Sequence, residues 1–137
     1  MDPIEQLREK IAGFPGYEGD IERRRSDAFV RSYLGEALAD LSVRCSTLSP
    51  QLKARVDALL LRVGFADPKA FAVRRSVAEM QGALPGEGTV VAEDVAAVGV
   101  ADRAPSVEEA SVAAYLDEVT ATLDRRDATM RAAAATS

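Results

Sequence analysis

DIERRRSDAFVRSYLGEALADLSVRC, residues 20–45, decides the fold. Val30, Leu34, Ala37 or Leu38, Leu41 and Cys45 recur at steps of four and three, the spacing of one face of an α-helix. A helix beginning at Gly19 or Asp20 and carrying this stripe needs a partner surface. Its stability comes from burying the stripe against other helices, since an isolated helix is marginal in water.

Working toward the N-terminus, Gly13, Pro15, Gly16 and Gly19 break the pattern. Gly13 is placed to end a preceding helix in a left-handed conformation, and Pro15 prevents that helix from resuming. The preceding helix runs from Pro3 to about Ala12, with Asp2 as N-cap, Glu5 in the first turn and an apolar face of Ile4, Leu7 and Ile11. The GFPGYEG turn lacks the glycine spacing of a phosphate-binding loop and follows a helix rather than a strand, so it reads as a hairpin corner. Phe14 and Tyr17 are expected to fold down over the next helix, near Ile21.

Toward the C-terminus the same punctuation recurs. Ser49-Pro50 opens a helix with Leu52, Val56, Leu59, Leu60 and Val63 on its apolar side and Gly64 as its stop. Asp67-Pro68 opens another, with Val73, Val77, Met80 and Leu84 ahead of Pro85. Residues 85–105 hold valine runs with no sustained period, open to a long loop, a short strand pair or a weak helix, and an irregular linker or crossover is the expectation set ahead of these. Ser106 and Glu109 form a capping-box pattern before a final helix striped by Val112, Leu116, Val119, Leu123 and Met130. In that stripe the Arg126–Asp127 pair interrupts the seam, and the alanine-rich residues 132–137 are expected to fray. The expected architecture is therefore a single all-α domain over residues 1–137, an antiparallel bundle of four to five helices. Only 5% of residues are aromatic and Trp is absent, so the core is built from Leu, Val and Ala.

Composition excludes more function than it assigns. There is no histidine, which removes Ser-His-Asp and Cys-His catalysis together with the commonest metal ligand, and a single cysteine cannot build a thiolate zinc site. The net charge of −5 opposes a general nucleic-acid binder. No apolar run approaches the roughly 20 residues of a membrane span, and no secretory signal pattern is present, so cytoplasmic residence is expected. Neither catalytic residues, metal ligands nor a cofactor are assigned. The acidic pairs Glu93–Asp94 and Glu108–Glu109 lack a convergent third carboxylate, which leaves a Mg²⁺-dependent phosphohydrolase as a lesser alternative.

The remaining candidate is the base-rich helix start. Arg24, Arg25 and Arg31, with Tyr17 nearby, form a candidate ligand-binding set for a small anionic group such as a nucleotide or acidic peptide. Against this, Asp20 precedes Arg24 by four residues and Asp27 precedes Arg31 by four, so intrahelical pairs already answer those charges. Consecutive helical residues also diverge by about 100°, so Arg23, Arg24 and Arg25 fan outward instead of forming one patch. The other basic pairs, Arg74–Arg75 and Arg125–Arg126, read as solvated faces.

Gly16-Tyr17 followed by Glu22, Arg24 with Arg25 or Arg23, Asp27 and Arg31 resembles a segment near the start of small uncharacterised prokaryotic helical proteins. The resemblance covers about twenty residues and departs at Glu18-Gly19, where such segments often repeat Gly-Tyr. It implies a helical fold and brings no activity with it. The function expected from the residues is a non-enzymatic interaction or scaffold module, binding a protein partner or a second copy of itself, because long striped helices pack against foreign helices as readily as their own.

Overall fold

The computed structural model describes residues 2–44, 47–64, 90–106 and 108–135. The helix expected at 68–84 and the stripe residue Cys45 lie outside them. Five α-helices account for the described architecture, and the described residues contain no strand: α1 (Pro3–Lys10), α2 (Gly19–Arg44), α3 (Pro50–Gly64), α4 (Val90–Ala101) and α5 (Glu109–Ala135).

α1 starts as its sequence requires. Asp2 Oδ1 accepts the Glu5 N–H at 3.0 Å and Pro3 occupies the first turn. It ends slightly earlier than expected, with Ile11 as its C-cap and Gly13 in the left-handed region at φ +77°. The expected stripe of α2 is buried throughout its described part: Val30, Leu34, Leu38 and Leu41 are each at most 2% exposed. Leu52, Val56, Leu59 and Val63 of α3 and Val112, Leu116, Val119, Leu123 and Met130 of α5 are likewise buried.

Ion pairs set the relative directions. Ser49 meets Glu109, Arg55 meets Asp117, and Arg62 meets Asp124 and Asp127, so α3 and α5 advance side by side in the same direction. Arg31 of α2 reaches the Val63 carbonyl, so α2 and α3 run antiparallel. Arg103 pairs with Glu118 and Arg126 with Asp94, so α4 and α5 do too. α2 packs on α3 and α4, α5 on α4 and α3, and α1 on α4. Among the described helices α2 to α5 direction alternates along the chain, yet the ring of four in space contains two parallel neighbours, α2/α4 and α3/α5.

Residues 90–101 correct the expectation of an irregular linker at 85–105, since they form α4. From Val91 through Ala101 no side chain is exposed. A helix surrounded by others is apolar on every side and shows no one-sided period, which is why its valine runs failed the stripe test. α5 also differs at its start. Its first residue is Glu109, with the Val112 N–H bonded to the Glu108 carbonyl at 2.9 Å, so Ser106 is not its cap. The Glu109 carboxylate instead accepts the Ser49 N–H at 2.8 Å, while Ser49 Oγ accepts the Leu52 N–H. The glutamate half of a capping box thus comes from a different helix and ties the starts of α3 and α5 together. The helix continues to Ala135, into the stretch expected to fray, as alanine's high helix propensity favours.

Two apolar clusters fill the interior. The larger runs from Leu34 to Leu123 and joins α2, α3, α4 and α5; the smaller gathers Leu7, Phe14, Tyr17, Val30, Val91 and Met130 at the end of the bundle where α2 begins. Between Leu123 and Met130, one turn from each, the chain places a charge: Arg126.

Candidate functional site

Arg126 is 3% exposed and is held by carboxylates from two other helices. Its Nε donates to Asp94 Oδ1 of α4 at 2.6 Å, and its Nη2 donates to Asp27 Oδ1 of α2 at 2.6 Å. Each carboxylate has a second donor. The Tyr17 hydroxyl donates to Asp94 Oδ2, and Arg31 Nε donates to Asp27 Oδ2 at 2.8 Å. Arg31 also donates from Nη1 to the Val63 carbonyl at 3.3 Å, so the network spans the turn before α2 and the helices α2, α3, α4 and α5.

Local sequence explains how each group arrives there. Gly16 adopts φ +110°, which an L side chain rarely tolerates, and its N–H donates to Ser26 Oγ at 3.1 Å while the Ser26 hydroxyl donates back to its carbonyl. Arg8 donates to the Phe14 and Pro15 carbonyls at 3.3 and 3.1 Å. The turn is sewn to α1 and α2, and Tyr17 is delivered inward. Its ring packs beside Phe14, with centroids 5.8 Å apart. Phe14 also meets Phe29 edge-on, whereas Ile21, the expected contact of this turn, is 75% exposed.

The electrostatics are those of a closed network. Burial drives the Tyr17 hydroxyl well above its ordinary range, with the adjacent Asp94 carboxylate adding to the shift. Burial also lifts Asp94, against the pull of Arg126 and the Tyr17 hydrogen bond. The two carboxylates overcome the desolvation of Arg126 and raise its affinity for a proton, so the guanidinium is permanently charged. Two anions and two cations, Arg126 and Arg31, satisfy one another with directed hydrogen bonds, which is the condition for charges to persist away from water.

The set Tyr17, Arg24, Arg25 and Arg31 does not converge on one surface. Tyr17 is 2% exposed with its hydroxyl engaged, and Arg31 is joined to Asp27, as the four-residue spacing anticipates. Arg24 and Arg25 are exposed while Arg23 is buried, which is the expected fan. Tyr17 and Arg31 are nevertheless linked, through Asp94, Arg126 and Asp27. Those three residues were not in the ligand-binding set, Asp94 having been weighed only as half of a carboxylate pair, and assigning Arg125–Arg126 to a solvated face is corrected for Arg126. The available signal was its position on the α5 stripe, midway between Leu123 and Met130. Asp94 was the matching anion, set beside Glu93 in a helix whose other residues are uncharged.

The acidic pairs do not build a cation site. Asp94 is consumed by Arg126, Glu93 lies 3.8 Å from Arg125, and Glu109 caps α3. Among the described residues, no three His, Cys, Asp or Glu side chains are grouped as an ion would require. No helix among them is long and apolar enough to cross a membrane. The sequence matches no family model, no curated protein and no solved structure, so the chemistry of these residues alone defines what the bundle can do.

Proposed function

We propose that this chain is a non-enzymatic helical interaction module, a rigid scaffold that presents helix faces to a protein partner or to a second copy of itself. The observation that carries this reading is the outward placement of large aliphatic side chains on an internally braced frame. Ile21, Val43 and Leu61 are 75%, 78% and 66% exposed, although the bundle has a well-filled apolar interior. The charged groups at its centre support the frame: Arg126, Asp27, Asp94 and Tyr17 are spent on one another inside it.

The test pairs light scattering over a range of concentrations with a pull-down on the immobilised full chain. Concentration-dependent mass, or specific retention of a protein competed off by free chain, is the expected result. A strict monomer that retains nothing would overturn the reading.

A further inference from the structure

We propose that two copies of this chain pair through the outer face of α2, antiparallel about a two-fold axis beside Ser32; the idea rests on the interaction reading above and names its surface. A helix turns about 100° per residue, so Ile21 and Val43 lie only about 40° apart around α2 although six turns separate them. Both are strongly exposed, and each stands eleven residues from Ser32, since 32 − 21 and 43 − 32 are equal. Antiparallel pairing about Ser32 sets Ile21 against the partner's Val43 and Val43 against the partner's Ile21. A two-fold contact is reciprocal in this way, residue i against j and j against i.

Charge selects the direction. On the face around Ser32, exposed Arg25 lies in the first half of α2 and exposed Glu36 in the second. In the antiparallel arrangement Arg25 lies within one turn of the partner's Glu36, on the same flank of the contact. Parallel pairing would oppose arginine to arginine and carboxylate to carboxylate. Ala28, Ser32 and Ala39, between the anchors, are small enough not to hold the helices apart. One helix pair buries less than the roughly 1,200 Å² of a standard stable interface, so the association is weak and concentration-dependent.

Sedimentation of the full chain from about 10 µM to 1 mM tests this, the range in which so small an interface becomes populated. Wild type should show a monomer–dimer equilibrium. Ile21→Glu with Val43→Glu should raise the dimer Kd at least about tenfold, while Leu61→Glu, an exposed aliphatic on α3, should leave it unchanged. Arg25→Glu should weaken the dimer, and adding Glu36→Arg should restore it. In a Cys45→Ser background, Ser32→Cys should form an intermolecular disulfide across the axis. Circular dichroism verifies that each surface variant keeps its helices. A dimer that survives Ile21→Glu with Val43→Glu overturns this surface and leaves self-association standing. A monomer throughout that still retains a protein partner overturns the self-pairing and leaves the interaction reading intact; a monomer with no partner overturns both.

Discussion

Replacing Arg126 by methionine keeps most of the side-chain volume and removes only the charge and its donors. Two carboxylates then remain inside the bundle, Asp27 and Asp94, with side chains 4% and 1% exposed and no cation between them. Removing one partner of a buried ionic group costs about 3–5 kcal/mol, because the orphaned charge retains its desolvation penalty. With an unfolding entropy of about 2.1 cal/mol/K per residue, such a loss over 137 residues lowers Tm by about 10–17 °C. Denaturant unfolding followed by circular dichroism measures it, with an unchanged m-value showing that the folded state remains compact. The pH dependence separates charge from packing. Arg126 is the strongest influence holding Asp94 down against burial, so without it the carboxyl titrates higher still in the folded protein than in the unfolded chain. A group with a raised folded value binds its proton more tightly when folded, so the deficit of Arg126→Met shrinks as pH falls from 7 toward the carboxylate range. Asp94→Asn in the same background should recover part of the loss at neutral pH. A deficit below about 1 kcal/mol, or one that stays flat with pH, would refute the reasoning and reduce Arg126 to a packing element.

Three further outcomes follow from the geometry. Spectrophotometric titration at alkaline pH should find no native tyrosine ionising at the ordinary value of 10, since Tyr17, Tyr33 and Tyr115 are all raised, Tyr33 to about 12 by its hydrogen bond to Asp102. The stabilisation from Tyr33 is complete below pH 10 and is lost as pH climbs through 12; one tyrosine titrating normally before unfolding would contradict this. Gly16→Ala should destabilise by about 1–2 kcal/mol in chemical denaturation, because φ is +110° and an added β-carbon meets Arg8 Nη2 and Glu22 Oε1 at 3.3 Å. Tyr115→Phe should be neutral or stabilising by up to about 1 kcal/mol, since the Tyr115 hydroxyl is buried without a hydrogen-bond partner among the described residues; a substantial loss would show that the hydroxyl has one.

The parts of this fold that could be read in advance are those governed by local chemistry. Asp2-Pro3 and Ser49-Pro50 start helices because cap and proline act within a few residues, and the stripes of α2, α3 and α5 are one-sided because each helix has a wet face. α4 escaped because being surrounded erases periodicity. Glu109 was recognised as a cap residue but given the wrong helix, since nothing in the spacing to Ser106 indicates that Ser49 stands closer. The site shows the same division. The Asp27–Arg31 pair is a four-residue interval and was legible, whereas the Arg126 contacts join residues 32 and 99 positions apart and depend on how the helices are arranged around the ring. An arginine interrupting an apolar seam was the available clue, and it acquires meaning only alongside the Glu93–Asp94 pair of α4.

That long-range pairing has a consequence for biosynthesis. Tyr17, Asp27 and Asp94 are synthesised before Arg126, the cation that bridges the two acids. An early compact state that buried those acids would leave Asp94 without its cation, Arg31 answering Asp27 alone, so closing the bundle prematurely is penalised. Committed folding is thereby deferred until the guanidinium emerges, and a nascent chain stopped before it should remain protease-sensitive while one released after it becomes resistant.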